Sequence, residues 1–136
     1  MTSTNSKGTF QPDSDVHITY EDQQKINRFA RLNAKLEDFK DEIKTKENDL
    51  KNIEDACDEI ALFDDDEQIP YLVGEVFIFQ NVEKTQKCLE ETKNKIDEEI
   101  KHLKLKSSEV KETMSDLKSY LYGKFGSHIN LEADEE

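Results

Sequence analysis

The chain has 136 residues, of which 38% are charged and 34% are hydrophobic, with four glycines, two prolines and no tryptophan. So little apolar material cannot fill a large globular core, and the composition favours an elongated, helical protein. The formal net charge of −13 argues against nucleic acid or an anionic membrane as a partner, because both require a basic surface.

Residues 1–18 are polar and carry no periodic pattern, so we expect a disordered lead. Residues 1–8 lack the apolar core of a signal peptide, and no apolar run approaches the length of a membrane span. We therefore expect a protein of the cytosol or nucleus that has no membrane partner.

The segment after this lead has the heptad pattern of a coiled-coil helix, in which apolar residues recur at alternating steps of three and four. The positions that this pattern directs towards a partner helix, here called the seam, are Phe29, Leu32, Leu36, Phe39, Ile43, Lys46, Leu50, Ile53, Cys57 and Ile60. Only Lys46 interrupts the apolar seam. The pattern predicts a first coiled-coil helix over residues 19–63.

Both ends of this helix carry sequence signals. Thr19 is a suitable N-cap, and residues 21–22 place negative charge in the first turn, where it suits the helix dipole. The acidic run of residues 64–67, followed by Pro70, is expected to end the helix near Leu62 or Phe63. An acidic run could also suggest a calcium site, but its spacing and the lack of a central glycine do not match an EF-hand loop. We therefore predict no metal site.

Residues 64–80 combine this acidic linker with a dense apolar assembly segment. Its residues 69–79 are β-branched and aromatic on both faces of an extended chain, and Gly74–Glu75 fits a tight hairpin turn with glycine first. A two-stranded hairpin alone is marginal in water, and this one would expose apolar side chains and open edges. We therefore expect hairpins from neighbouring subunits to cover it and to close a shared sheet or barrel.

A second coiled-coil helix is predicted over residues 81–122, with Asn81 as its N-cap and Gly123 or Gly126 at its end. One line of its seam has a spacing of seven: Val82, Leu89, Ile96, Leu103, Val110 and Leu117. Four residues beyond each member lies a more mixed line: Gln86, Lys93, Ile100, Ser107, Met114 and Leu121. Residues 123–136 are expected to form a flexible tip and an acidic tail.

The two seams match if the helices run antiparallel and facing residues have numbers that add to 146. This register pairs Phe29 with Leu117, Leu36 with Val110, Ile43 with Leu103, Leu50 with Ile96 and Cys57 with Leu89. Sums of 139 or 153 keep the heptad phase but move the fold-back point away from the turn at Gly74. The predicted fold is therefore mainly α: a long antiparallel two-helix coiled coil joined by one central β-hairpin that completes a barrel in an oligomer.

The sequence does not indicate catalysis. His17, His102 and His128 are isolated from one another, and there is no phosphate-binding glycine loop, zinc-ligand spacing or pocket-forming fold. Cys57 and Cys88 could form a disulfide, but a reducing compartment and the seam position favour Cys57 as a small buried apolar residue. We predict a protein that is not an enzyme and needs no cofactor.

Several of these segments resemble prefoldin, and in particular its β-type subunits. The order of helix, single hairpin and helix is that of the β-type subunits, and residues 70–77, PYLVGEVF, resemble their hairpin motif. The segments that resemble one eukaryotic branch of the family are residues 20–27, YEDQQKIN, residues 29–32, FARL, residues 54–60, EDACDEI, and residues 124–134, KFGSHINLEAD. The resemblance covers about residues 19–134.

The resemblance implies a cytosolic heterohexamer of two α-type and four β-type subunits. Their hairpins form a double β-barrel platform, from which six coiled-coil arms extend. It also implies capture of unfolded chains, notably actin and tubulin, without ATP, and their delivery to the cytosolic chaperonin. Carried onto this chain, the subunit assembly residues are Tyr71, Val73, Val76, Phe77 and Phe79.

Clients are expected at the end of the helices far from the hairpin, where apolar residues continue beyond the paired seam. These residues are Tyr20, Ile26, Tyr120, Tyr122, Phe125, Ile129 and Leu131. They could instead fold back locally around a frayed helix end, since scattered apolar residues are normal on protein surfaces. The resemblance to prefoldin favours the client-binding role.

The alternative is a coiled-coil adaptor or tether without chaperone activity, in which the helices pair between chains. The tether hypothesis predicts a dimer of extended helices. The resemblance to prefoldin predicts helices that pair within one chain.

Overall fold

The computed structural model describes residues 9–10 and 17–131 of the chain. Its elements in chain order are strand β1 (Thr9–Phe10), helix α1 (Tyr20–Ile60), strands β2 (Ile69–Val73) and β3 (Val76–Gln80), helix α2 (Val82–Phe125), a 3-10 helix (Gly126–His128) and strand β4 (Ile129–Asn130). Two long helices joined by a small antiparallel hairpin confirm the predicted, mainly α fold.

Helix α1 begins at a reciprocal cap. The backbone N–H of Asp22 donates to Thr19 Oγ1 at 3.0 Å, and the backbone N–H of Thr19 donates to Asp22 Oδ2 at 3.1 Å. This arrangement is a capping box with aspartate in place of the usual glutamate or glutamine. It satisfies backbone donors that have no partner inside the helix, which is why the chain becomes helical after Thr19, as predicted.

Helix α1 ends at Ile60, earlier than the predicted boundary at residue 63. The N–H groups of Leu62 and Phe63 donate to carbonyls three residues earlier, so the last turn tightens and the helix does not continue. The acidic run then forms its own turn, in which the backbone N–H of Asp64 donates to Glu67 Oε1 at 2.9 Å. Its negative charges lie outside the helix, where they oppose the dipole less than they would inside it.

The chain divides into two compact units, Met1–Asp41 with Leu105–Glu136 and, separately, Glu42–Lys104. In the first unit α1 and α2 are antiparallel. Lys124 donates to Asp22, and these two numbers add to the predicted 146. Phe29 and Leu117, which the same register pairs, lie in one buried cluster.

In the second unit, ion pairs connect α1 to α2 across the seam. Lys46 pairs with Glu99 at 3.0 Å, and Lys93 pairs with Glu54 at 3.8 Å. The numbers of each pair add to within one of 146, so this unit also agrees with the predicted register. The hydrogen bond from Lys46 to Glu99 raises the pKa of the ammonium, although burial acts in the opposite direction, so the seam lysine stays charged.

Strands β2 and β3 form an antiparallel hairpin in which Val73 pairs with Val76. The loop between them is Gly74–Glu75, at the predicted place. Gly74 has a φ of 64°, a left-handed conformation that glycine adopts without the steric clash of a Cβ atom.

Helix α2 begins after Asn81, whose Oδ1 accepts the backbone N–H of Lys84 at 2.8 Å, so the predicted N-cap is present. The helix continues to Phe125, beyond the predicted end at residue 122. It stops at Gly126, which has a φ of 57°, the left-handed conformation common just after a helix.

Two described segments near the ends of the chain form strands where the sequence predicted a disordered lead and a flexible tip. Strand β1 lies within the lead and pairs antiparallel with β4, so that Thr9 faces Asn130 and Phe10 faces Ile129. The tail folds back because Ile129 and Leu131 find apolar neighbours and become buried. Residues 1–8, 11–16 and 132–136, which complete the predicted lead and acidic tail, lie outside the described residues.

Candidate functional site

The apolar side chains of the hairpin are open to solvent. Residues of β2 and β3 that expose between 42% and 69% of their surface are Leu72, Val73, Val76, Phe77, Ile78 and Phe79. Together with the half-buried Tyr71, they are called the hairpin surface below. Contiguous apolar exposure of this kind is uncommon on a monomer and is typical of an interaction site.

Cross-strand pairing decides which of these side chains share a face, because neighbours along a strand alternate and directly paired residues point the same way. One face carries Tyr71, Val73, Val76 and Ile78, and the other carries Leu72, Phe77 and Phe79. The five predicted assembly residues are thus divided between both faces. Leu72 and Ile78 are exposed as well but were not among the predicted residues, although the apolar composition of both faces was a signal that could have included them.

The base of the hairpin is attached to the helices by a small apolar cluster. Ile60 at the end of α1, Ile69 in β2 and Val82 in α2 are buried together, and Leu89 packs against them. Because this contact joins three elements, it limits the directions in which the hairpin can leave the helices.

A buried polar junction lies beside this cluster. Gln80 Nε2 donates to Thr85 Oγ1 at 3.3 Å, and Thr85 Oγ1 donates to the carbonyl of Asn81 at 2.9 Å. Gln80 and Thr85 expose only 6% and 1% of their surface, so these bonds lie in an environment where an unpaired polar group is costly. Sequence reasoning did not single out either residue, since no local pattern marks a strand residue that bonds the following helix.

In the first unit, most of the residues predicted to bind clients are buried. Ile26, Phe125, Ile129 and Leu131 each expose 6% of their surface or less, and Tyr122 is half-buried. The buried residues that pack together here, called the tip cluster below, are Ile26, Phe29, Met114, Leu117, Leu121, Phe125, Ile129 and Leu131. The structure thus gives a closed core where the sequence predicted a flexible apolar surface, because the tail folds back and adds its own apolar residues.

Two of the predicted client residues do face solvent. Tyr20 exposes 79% of its surface and Tyr120 exposes 43%. The ammonium of Lys25 lies 5.0 Å from the centroid of the Tyr120 ring, a geometry that favours a cation–π interaction. Aromatic surface is therefore available at this end of the helices without any rearrangement of the tip cluster.

A buried carboxylate joins the two helices beside the tip cluster. Asp22 is fully buried, and its oxygens accept hydrogen bonds from Lys124 Nζ at 2.6 Å and from Tyr120 Oη at 3.0 Å. Burial alone would raise the pKa of the Asp22 carboxyl, but the hydrogen bonds from Lys124, Thr19 and Tyr120 outweigh burial and hold the pKa well below its usual range. The hydrogen bond between Lys124 and Asp22 also raises the pKa of the Lys124 ammonium.

Asp22, Tyr120 and Lys124 are called the tip clamp below. Sequence reasoning assigned Asp22 only to the first turn of α1, where its charge suits the helix dipole. Its partners lie 98 and 102 residues further along the chain, so no local pattern could identify them. The predicted register gave a partial signal for this contact, because it places Asp22 opposite Lys124.

Among residues 9–10 and 17–131, no group of three or more His, Cys, Asp or Glu side chains is arranged to hold a metal ion. No helix in the described ranges is long and apolar enough to cross a membrane. Cys57 and Cys88 are both free and half-buried.

Comparison with known proteins assigns this architecture to a class. A family model described as prefoldin subunit matches residues 23–128, which include the hairpin and nearly all of both long helices. The chain belongs to the prefoldin subunit family, as its motifs had indicated.

Individual relatives are similar over most of their length. The chain is 53% identical over 126 residues to a probable prefoldin subunit 4 from Drosophila melanogaster, a match that covers 93% of this chain and 91% of the relative. It is 52% identical over 122 residues to prefoldin subunit 4 from Homo sapiens, covering 89% and 91%. It is 35% identical over 119 residues to prefoldin subunit 4 from Saccharomyces cerevisiae, covering 88% and 92%.

A solved structure has the same fold. The prefoldin beta subunit from Thermococcus strain KS-1 superposes with a TM-score of 0.70, covering 79% of this chain and 94% of that chain. The sequences are 17% identical, so this likeness supports a shared arrangement of helices and hairpin.

Proposed function

We propose that this chain acts as a β-type subunit of a prefoldin heterohexamer, in which two α-type and four β-type subunits join through their hairpins. In this role it captures unfolded actin and tubulin without ATP and delivers them to the cytosolic chaperonin. The proposed location is the cytoplasm. The chain acts by binding and carries out no catalysis of its own. Membership of the prefoldin subunit family supports the proposal.

The observation that carries the proposal is the hairpin surface. Val73, Val76, Phe77 and Phe79 each expose more than half of their surface. Burying an apolar side chain of this size contributes about 1.5–3 kcal/mol, so covering both faces of the hairpin would strongly favour assembly. A closed barrel would also pair the backbone groups at the strand edges, which a lone hairpin leaves open.

Client capture is proposed for the first unit, at the end where α1 begins and α2 ends. Tyr20 and Tyr120 supply exposed aromatic surface there. Five other predicted client residues lie in or against the tip cluster: Ile26, Tyr122, Phe125, Ile129 and Leu131. In this proposal they form the core that supports the exposed binding surface. Weak contacts from several arms of one hexamer would add through avidity, which suits a chaperone with many clients.

The proposal is tested with the assembled complex. The chain is co-expressed with the other prefoldin subunits, and the mass of the purified complex is measured. The complex should be a heterohexamer, and it should suppress aggregation of chemically unfolded actin as this is diluted from denaturant. A hexamer that does not retain unfolded actin at any concentration would contradict the chaperone role.

The tether hypothesis makes a different prediction for the same purification. A tether without chaperone activity should be a dimer of extended helices and should leave actin aggregation unchanged. Ion pairs between α1 and α2 of one chain, such as Lys46 with Glu99, favour the subunit role over this alternative.

The client surface is tested at Tyr20, because its side chain faces solvent and does not belong to the tip cluster. Tyr20→Ser should weaken the suppression of actin aggregation, and Tyr20→Phe, which keeps the ring, should retain more of it. Leu105→Ser removes another apolar side chain that is 59% exposed, but away from the tip, and should match the wild type. Equal effects of Tyr20→Ser and Leu105→Ser would argue against a client surface at this end.

A further inference from the structure

The pairing of β1 with β4 is the one strand contact at the tip end of the described chain, and it is short. Thr9 pairs with Asn130 and Phe10 with Ile129. A backbone hydrogen bond contributes about 0.5–1.5 kcal/mol net, so a pair of this length is weak and opens readily. β1 is therefore held on β4 far less firmly than the seam holds the helices together.

Strand β4 itself is firmly placed. Ile129 and Leu131 expose 4% and 1% of their surface in the tip cluster, whereas Asn130 between them is exposed. The backbone N–H of Leu131 donates to Tyr122 Oη at 3.0 Å, which fixes one edge of the chain against α2. β4 and the residue after it are thus held in place by buried apolar side chains and by this hydrogen bond.

The direction of the backbone groups follows from this bond. Successive N–H groups of an extended chain point to opposite edges. Because the N–H of Leu131 points towards Tyr122, the N–H of Asn130 points to the other edge, where β1 lies. We therefore expect the Thr9–Asn130 pair, and not Phe10–Ile129, to exchange backbone hydrogen bonds.

We propose that the edge of β4 is a strand-addition site for extended segments of unfolded clients, and that β1 is its resting intramolecular occupant. The inference deepens the proposed function and rests on it. A client segment displaces β1 and pairs with Asn130 through main-chain N–H and C=O groups. The observation behind this choice of occupant is that the site already holds an extended segment of polypeptide, Thr9–Phe10.

This mode of binding suits clients without a common sequence. Main-chain hydrogen bonds supply affinity in strand addition, and every unfolded chain carries the same main-chain groups. Folded proteins have most of these groups paired internally, so the edge distinguishes unfolded from folded chains. The competition with β1 keeps the affinity low and lets the client leave.

The test uses reconstituted hexamers that contain the full-length chain, and the probe is a fluorescent peptide of alternating valine and threonine, about six residues long to match a typical strand. Thr9→Pro removes the backbone donor of β1 and should tighten peptide binding about threefold to tenfold, because the competitor is weakened. Asn130→Pro removes the backbone donor of β4, which both β1 and the peptide use, so it should bind the peptide more weakly than Thr9→Pro does. Thr9→Val and Asn130→Ala keep the backbone donors. The peptide affinity of each should therefore be closer to the wild-type value than that of the proline variant at the same position.

Amide hydrogen exchange on the wild-type hexamer gives a second measurement that does not depend on how the variants fold. When the peptide is added, the Thr9 amide should lose protection while the Asn130 amide keeps it. Loss of protection at both amides, or no change at either, would overturn the inference, as would peptide binding by Asn130→Pro that is as tight as that by Thr9→Pro.

Retention of unfolded actin separates this inference from the proposed function. If the wild-type hexamer retains unfolded actin but the peptide results are negative, strand addition is excluded and the chaperone role stands. If the wild-type hexamer retains no actin, the proposed function fails and the inference fails with it.

Discussion

Lys124 Nζ lies 2.6 Å from Asp22 Oδ2 and joins the last turn of α2 to the first turn of α1. Asp22 is fully buried, so this bond places a negative charge inside the protein and satisfies it with a cation from the facing helix. Tyr120 donates to the second carboxylate oxygen. The tip clamp therefore closes the end of the helix pair at which the tip cluster lies.

The first prediction concerns Asp22→Asn, which keeps the shape of the side chain and removes its charge. Hydrogen bonds to a charged group contribute about 1.5–3 kcal/mol, and the lower part of that range applies because Lys124 is partly exposed. We expect the tip to open about 10 to 30 times more readily, seen as faster amide hydrogen exchange at Ile129 and Leu131 in the hexamer. Asp116→Asn, at an exposed position of α2, is the control and should leave exchange unchanged. Equal exchange in both variants would show that the clamp does not hold the tip.

The second prediction concerns the pH dependence of the same clamp. The folded pKa of Asp22 is lowered, so its contribution is complete above the unfolded pKa of about 4 and is lost as the pH falls towards the folded value. In that window the unfolded state binds the proton and the folded state does not, so stability rises with pH. The difference in tip opening between wild type and Asp22→Asn should be constant from about pH 6 to 8 and shrink below about pH 4. A difference that persists undiminished at the lowest accessible pH would contradict this assignment.

The third prediction concerns the register of the seam. In a background with Cys57→Ser and Cys88→Ser, Ile43→Cys with Leu103→Cys should oxidise readily within one chain, because the predicted register sets these residues opposite each other. A disulfide needs Cα atoms within about 7 Å, and a heptad shift moves them by roughly 10 Å. Ile43→Cys with Val110→Cys is the comparison and should not crosslink. Efficient oxidation of that second pair alone would show that the register is wrong by one heptad.

The fourth prediction concerns the hairpin surface. Val76 and Phe77 are both 62% exposed, so Val76→Asp with Phe77→Asp should leave the helices of this chain folded. If neighbouring hairpins cover these positions, assembly buries two unpaired carboxylates, and incorporation into the hexamer should fall by about tenfold or more. Size-exclusion chromatography of co-expressed subunits measures this. Leu62→Asp changes an apolar residue that is 84% exposed outside the hairpin, and it should be incorporated normally. Normal incorporation of the double variant would exclude the barrel.

Features that depend on neighbouring residues could be predicted from the sequence. The heptad pattern predicted both long helices, and the capping side chains of Thr19 and Asn81 marked where they begin. Gly74 predicted the hairpin turn, because few other residues adopt its left-handed conformation. The apolar composition of both strand faces predicted a surface that needs a partner, and the motifs identified the prefoldin subunit family.

Helix ends were predicted less well. Helix α1 ends before the predicted boundary and α2 ends after it. The acidic run after α1 bonds within its own turn, and the last residues of α2 are stabilised by burial of Phe125. Both effects depend on contacts that form only in the folded chain.

The state of the tip was decided by tertiary structure alone. Apolar residues beyond the paired seam are equally compatible with an open surface and with a closed core, because their periodicity does not say which distant residues they will meet. The structure brings Ile129 and Leu131 back to Ile26 and Leu121, and it brings Lys124 to Asp22. The sequence by itself determined which segments are helical, to within a few residues at their ends, and where the hairpin turns, since these depend on local conformational preference. Burial depends on the long-range closure of the chain, which only the folded structure specifies.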